Sequence, residues 1–568
     1  MTRHTAANQH SALSRYPVLL LALLVALVLY LFLFAPVTIT LDGYSHLYGG
    51  KMLKLMLGGQ PEVHRSFSYN SLFVPNWIDA LFLAALSTVV SSELALKLLI
   101  VLIWAALLSS LYFCIDVTQY RTQQRAQVII VLLPISLNAY LTLGFYGFLI
   151  SSSLCMFILG LVLRYGLGMS LRLQCVTSCL LLVAYFSHPL PVIVSFLVPC
   201  AYGIAGAVVH RLDGWRRFGE VLKRHAFDVW PWLPPAFMLP WFYVRLAKTS
   251  ALVGAEPHAN SLTSTWAHRM IHRIEALTLD VYISPTASVG ILFIALLAIL
   301  LAGVILRPRQ LWLRDPVRFT ALTILIIATL VLTMIAPDQV GDGSDIVNRF
   351  LLHSALFLVL LALTSGVFEA RLLTLCSFIA ALSVVVFAGE YLLVSGRLAP
   401  QVDEVRRAME TLPKNSRILV MAYRMTPSSC PGLPLLERTI PERHWALAGA
   451  LKNELIVLND YQGHTSHFPL KYVTDRYTGV KDELRLAADS SGERNRATWF
   501  EILKNDSDVD FVVSWGTSRG PNCLNPVYPP FVEALKSRYE MFFFKQGSSR
   551  VELWRKRGKS IKLLDGPR

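Results

Sequence analysis

The sequence predicts a polytopic α-helical membrane protein with a polar α/β domain at its C-terminal end. Of its 568 residues, 54% are hydrophobic and only 16% are charged, and the mean hydropathy is +0.51. Soluble domains carry about 25% charged residues, so the composition favours a membrane protein. The formal net charge of +15 is concentrated in short loops between apolar runs, as the positive-inside rule expects. No long basic face of the kind that binds nucleic acid is present.

We predict about eleven transmembrane helices, in apolar runs of 15 to 23 residues, beside the roughly 20 that such a helix needs. We place them at 16–36, 93–115, 126–143, 145–163, 173–187, 190–209, 227–244, 285–306, 319–335, 350–367 and 372–394. No small-residue cleavage site follows the first run, so we expect an uncleaved span with the N-terminus in the cytoplasm. Run 77–90 is short, and we interpret it as a re-entrant or interfacial helix.

The same assignment divides the chain into two predicted domains. Residues 1–395 form a transmembrane domain with a long first outside loop, 37–92, and residues 396–568 form an extracytoplasmic domain. In the second domain, runs typical of helices, among them 497–504, alternate with runs typical of strands, among them 417–422, 510–514 and a final hairpin of 540–544 with 550–554. This alternation predicts an α/β fold. The predicted spans place the protein in the inner, or plasma, membrane. Cys430 and Cys523 lie in this outside domain, where an oxidising compartment permits a disulfide, and we predict one between them as a hypothesis.

The stretch 40–48 follows the first span at once and holds Asp42 and His46. Residues four apart lie on one face of a helix. A carboxylate and an imidazole in this arrangement can bind a metal, or they can share a proton and act as base or acid. Alternatively, Asp42 caps a short interfacial helix and His46 is its neighbour. The polar segment that follows adds Glu62 and His64.

Three further sites lie at predicted outer ends of spans. His188 precedes Pro189 and is either functional or a cap for helix carbonyls. Arg349 begins a span, where its charge opposes the helix dipole unless it holds an anion such as a lipid phosphate. Pairing with the acidic loop before it is the alternative, and His353 follows one turn later on the same face. Arg245 is either a snorkelling anchor or a second phosphate contact.

The architecture resembles that of the GT-C membrane glycosyltransferases. Residues 41–48 resemble the Asp-x-x-x-His form of bacterial relatives, and Ser187-His188-Pro189 and the helix start at Arg349 also resemble features of those relatives. The resemblance implies a GT-C-like fold that transfers a sugar from a polyprenyl-phosphate carrier to a glycan, lipid or protein acceptor at the outer face of the bilayer.

The resemblance also implies roles for the candidate residues. Asp42 would be the general base or a ligand of a divalent metal, Mg²⁺ or Mn²⁺, and His46 would support it. Arg349 would hold the carrier phosphate. His353 and Arg245 are further candidates for phosphate binding because of their positions at the outer ends of spans.

One departure leaves other functions open. Many members carry a second acidic motif in the next outside loop, whereas residues 138–147 contain no acid. His188, Glu62 and His64 are candidates to fill that gap. A transporter or flippase for a lipid-linked precursor is one alternative, although mid-span charges and internal repeats would be expected of it. A non-catalytic scaffold for envelope assembly is the other.

Overall fold

The computed structural model describes residues 16–70, 73–115, 118, 120–209, 228–252, 287–337, 345–364, 370–423, 442–465, 468–473, 483–484, 503, 508–516, 528–547 and 550–558. The helices in these ranges are α1 (Tyr16–Phe34), α2 (Gly43–Leu57), α3 (Pro61–Ser66), α4 (Trp77–Leu86), α5 (Ser92–Cys114), α6 (Thr122–Ser136), α7 (Ala139–Leu143), α8 (Tyr146–Tyr165), α9 (Leu171–Ser187), α10 (Pro189–Val209), α11 (Leu233–Leu252), α12 (Ala287–Leu306), α13 (Pro308–Arg314), α14 (Pro316–Ile335), α15 (Ile346–Thr364), α16 (Ala370–Met409), α17 (Glu442–Ala450), α18 (Tyr461–His464) and α19 (Tyr528–Arg538). The strands are β1 (Phe67–Tyr69), β2 (Arg417–Tyr423), β3 (Ile456–Val457), β4 (Leu470–Tyr472), β5 (Glu483–Leu484), β6 (Phe511–Gly516), β7 (Tyr539–Gln546) and β8 (Arg550–Lys556).

Among the described residues, eight helices are long and apolar enough to cross a membrane. They are α1, α5, α8, α10, α12, α14, α15 and α16. This agrees with a multi-pass helical membrane protein, but the predicted count of eleven is not confirmed. The other three predicted spans correspond to α6, α9 and α11, and α6 and α9 have only 15 and 17 residues. The predicted interfacial run is α4, whose 10 residues are too few to span a bilayer.

The chain divides into two compact units. The first contains residues 1–31, 100–141 and 146–389, and the second contains residues 32–99, 142–145 and 390–568. The first outside loop and the C-terminal region, which lie far apart in the sequence, therefore belong to the same unit. Helix α16 continues through residues 395 and 396, where the sequence predicted a domain boundary.

The first unit is a helical bundle around α8 and α15. Most residues of these two helices are buried, whereas less than a third of the membrane-spanning stretch of α1 and of α14 is buried. Helix α15 packs against α14 and α12, and α8 packs against α9 and α10. The two buried helices carry Phe148 and Arg349 at their N-terminal ends.

The second unit contains a mixed sheet in the order β3-β2-β6-β8-β7, with β5 also paired to β2. Strand β2 runs parallel to β3, β5 and β6, whereas β8 is antiparallel to both β6 and β7. Trp445 of α17 and Trp515 of β6 are fully buried and stack with ring centroids 6.4 Å apart. The strands predicted at 417–422 and 510–514 and the final hairpin are confirmed, while the predicted helix 497–504 lies outside the described residues apart from Leu503.

Candidate functional site

Asp42 occupies the position before α2, but its side chain makes no capping hydrogen bond. Its Oδ1 instead lies 3.3 Å from Nε2 of His444, which α17 contributes from the C-terminal region. Asp42 is 9% exposed and His444 is completely buried. The carboxylate is thus held at ion-pair distance from a buried imidazole, and it does not act as the helix cap that the sequence left as an alternative.

The backbone around Asp42 is held by residues 142–144. The N–H groups of Leu41 and Asp42 donate to the carbonyls of Thr142 and Leu143 at 2.9 and 3.2 Å. Gly144 has φ +80°, and a Cβ there would lie 2.8 Å from the backbone nitrogen of Gly43. Residues 142–144 belong to the predicted loop 138–147, which contains no acidic residue. This loop therefore positions the Asp42 segment through backbone contacts, and position 144 requires glycine.

His46 forms a second carboxylate–imidazole pair in the same unit. Its Nδ1 lies 2.5 Å from Oδ2 of Asp79 on α4, and Asp79 is completely buried. Helices α2 and α4 approach closely because position 50 is glycine: a Cβ on Gly50 would lie 2.7 Å from the Leu83 Cβ. The ring of Phe468 contacts His46 edge-on, with centroids 5.7 Å apart. We call Asp42, His46, Asp79 and His444 the Asp42 cluster.

The acids around His46 determine its protonation. Burial alone lowers the pKa of an imidazole, and here it is the largest single effect. The charge and hydrogen bond of Asp79, together with the charges of Asp42 and Asp460, outweigh burial, so the pKa of His46 is raised above its usual value. Asp460 is itself buried and accepts a hydrogen bond of 2.5 Å from the Ser45 hydroxyl. The cluster therefore favours the protonated, positively charged form of the His46 imidazole.

The divalent metal that the resemblance implies stays a prediction. Within the described ranges, no group of three His, Cys, Asp or Glu side chains has the geometry to hold a metal ion. Asp42 faces His444, and His46 is bound to Asp79. The chemistry proposed below is therefore derived without a metal.

A second group of functional side chains lies within the first unit. Arg349 is 8% exposed, and its Nη1 lies 2.8 Å from Nε2 of His188, which accepts because a guanidinium can only donate. The guanidinium also lies over the Phe148 ring, 5.4 Å from its centroid. His188 and His353 contact the same ring edge-on at 5.6 and 5.7 Å. We call Arg349, His188, His353 and Phe148 the Arg349 cluster.

His353 and Ser151 fix the backbone of the Arg349 cluster. His353 is completely buried, and its Nδ1 lies 2.8 Å from the carbonyl oxygen of Arg349. Ser151 of α8 donates to the carbonyl of His188 at 2.8 Å. The predicted phosphate-binding arginine is thus located where two helices and one interhelical segment meet.

The remaining predicted residues have other described contacts. Glu62 pairs with Arg65 at 2.9 Å on the surface, and His64 Nε2 lies 3.0 Å from the Met56 carbonyl oxygen. Arg245 lies over the Trp241 ring, 5.5 Å from its centroid, as a snorkelling anchor can. Cys430, Cys523 and the acidic loop 338–344 lie outside the described residues, so the disulfide and the loop's pairing with Arg349 stay predictions.

Sequence reasoning missed Asp79, His444 and Phe148. Asp79 sits inside an apolar run, so a buried carboxylate there was itself a signal, because an ionisable group in such a run needs a partner. His444 and Phe148 had no comparable signal, since their partners lie on other elements far along the chain.

The fold and the two clusters define a multi-pass helical membrane protein with a mixed α/β C-terminal region. No family model matches the sequence, and no curated protein matches it significantly. Among solved structures, the chain is similar to ArnT from Cupriavidus metallidurans in the apo state, with a TM-score of 0.47 and 12% identity over 94% of this chain and 97% of that chain. The function proposed below is based on the described residues of this chain.

Proposed function

We propose that the protein transfers a sugar from a polyprenyl-phosphate carrier to an acceptor hydroxyl at the outer face of the membrane. The observation that carries the proposal is the pair of carboxylate–imidazole contacts at the end of the first span, Asp42 with His444 and His46 with Asp79. A mostly buried carboxylate that caps no helix and faces an imidazole is suited to accept a proton.

In the proposed reaction, the acceptor hydroxyl gives its proton to the Asp42 carboxylate. Its oxygen forms a bond to the anomeric carbon of the sugar. The bond from that carbon to the phosphate oxygen breaks with its electron pair, and polyprenyl phosphate leaves. The imidazolium favoured at His46 supports this step because its positive charge attracts the nearby Asp42 carboxylate.

The Arg349 cluster supports binding of the carrier. A guanidinium donates through a planar fork that matches phosphate oxygens, and such charge-assisted hydrogen bonds are stronger than neutral ones. His188 and Phe148 fix the plane of this guanidinium. Asp42 and Arg349 belong to different units. We therefore assign proton transfer to the Asp42 cluster and phosphate binding to the Arg349 cluster, and each cluster is tested by its own variant.

The test compares Asp42→Asn and Arg349→Ala in cells, measuring membrane level, extracted lipid-linked sugars and surface glycans by mass spectrometry. Glu533→Gln is the matched acid-to-amide control, because Glu533 is exposed and pairs only locally with Lys536. Loss of product in both site variants, with normal membrane levels, is expected. Loss with Arg349→Ala alone would favour a flippase, and loss with neither would favour a scaffold.

A further inference from the structure

The C-terminal region contributes directly to the surroundings of Asp42. Helix α17 packs against α2, and its His444 reaches Asp42 with Nε2 3.3 Å from Oδ1. Tyr48 of α2 donates to the Leu455 carbonyl at 3.1 Å and accepts from the Val457 N–H at 2.8 Å. One face of α2 is therefore bonded to the C-terminal region at its start and again nearly two turns later.

Further contacts extend this attachment. Ser45 donates to Asp460 at 2.5 Å, and Phe468 packs on His46. Strand β1, which follows the first outside helices, pairs antiparallel with β4, with Phe67 opposite Tyr472. All these residues belong to the second unit. The C-terminal region is thus built into the helix that carries Asp42 and His46.

We infer that His444 is a positioning residue for Asp42 and that the C-terminal region is required for the reaction through it. The inference rests on the proposed function. The imidazole at ion-pair distance from one carboxylate oxygen fixes the orientation of the Asp42 carboxylate that receives the acceptor's proton. Catalytic groups lose efficiency steeply when their orientation is lost, even with displacements of about 1 Å. His444 itself need not touch the substrate.

The test uses full-length protein in detergent and separates kcat from KM. The donor is whichever undecaprenyl-phosphate sugar the wild type uses from a panel of hexoses and pentoses. His444→Ala should lower kcat by up to about 100-fold with little change in the donor's KM. His444→Gln should recover most of kcat, because its amide N–H can occupy the place of Nε2. His464→Gln is the control from the same region, since the His464 ring contacts the Leu458 carbonyl.

A second measurement tests the pairing of Asp42 with His444 without measuring activity. Thermal unfolding midpoints are compared for Asp42→Asn, His444→Ala and the double variant. Paired side chains should give non-additive shifts, because one substitution already removes what the other would remove. If the midpoint shifts are non-additive but the wild type transfers no sugar, the proposed function is refuted, whereas the pairing of Asp42 with His444 still stands. Additive shifts, or an unchanged kcat in His444→Ala while Asp42→Asn is inactive, would overturn the positioning role.

Discussion

The Asp79 carboxylate lies 2.5 Å from the His46 imidazole, and both side chains are buried. A buried carboxylate is costly unless an opposite charge or several donors compensate for it. In this pair, a protonated His46 provides that compensation, and the close approach of α2 and α4 at Gly50 makes it sterically feasible. The pair therefore links the stability of α2 and α4 to the protonation of His46.

Asp79→Ala should destabilise the protein strongly. Removing one partner of a buried ion pair typically costs about 3–5 kcal/mol, because the other charge remains buried. The unfolding midpoint in detergent should therefore fall clearly below that of the wild type. Asp403→Ala is the control, since the Asp403–Arg406 pair is about 40% exposed on both sides. Equal midpoints for the two variants would show that Asp79 is not a buried partner of His46.

Stability should fall as the pH rises above the ordinary imidazole range. The folded-state pKa of His46 is raised above 6.5. Between 6.5 and that higher pKa, the folded protein binds more protons than the unfolded chain, so the free energy of unfolding decreases with rising pH. The contribution of His46 to the free energy of unfolding is complete below pH 6.5 and is lost as the pH rises past the folded-state pKa of His46. Unfolding midpoints from pH 6 to 9 should show this slope in the wild type and a weaker slope in His46→Gln.

Gly144→Ala should cost more than the same substitution at Gly59. Both glycines have positive φ, +80° and +73°, so both variants carry similar backbone strain. A Cβ at position 144 would lie 2.8 Å from the Gly43 nitrogen and the Thr40 hydroxyl, whereas position 59 opens into space. We therefore expect Gly144→Ala, but not Gly59→Ala, to reduce product formation, because a side chain at position 144 displaces the Asp42 segment. Equal effects on midpoint and activity would contradict this role.

Phe148→Leu should weaken binding of undecaprenyl phosphate. A cation–π contact contributes about 0.5–2 kcal/mol, which corresponds to roughly 2- to 30-fold in affinity. The loss arises because the Arg349 guanidinium no longer lies over an aromatic ring. Arg349→Lys should bind less well still, since an ammonium lacks the two-pronged geometry. Binding is measured by quenching of intrinsic fluorescence on titration with the lipid. Phe113→Leu, at the ring beneath Arg164, is the control for loss of another cation–π pair.

The amino-acid sequence by itself determined features that depend on neighbours along the chain. The apolar runs, the position of Asp42 directly after the first span, and the presence of His46 on the helix that follows all come from local spacing, because a helix repeats every 3.6 residues. The strands β2, β6 and the final hairpin were likewise evident from short apolar runs and turn residues. The same logic predicts eleven spans, of which eight correspond to described helices that are long and apolar enough to cross a membrane.

Only the tertiary structure decided which side chains complete the two clusters. Asp79 reaches His46, and His444 reaches Asp42, through packing of α4 and α17 against α2. Ser45 and Asp460 bond across 415 residues of sequence. Phe148 meets Arg349 from another helix, and His188 meets it from the segment between α9 and α10. Local propensity carries no information on such partners, because they are set by close packing between elements rather than by the period of any one of them.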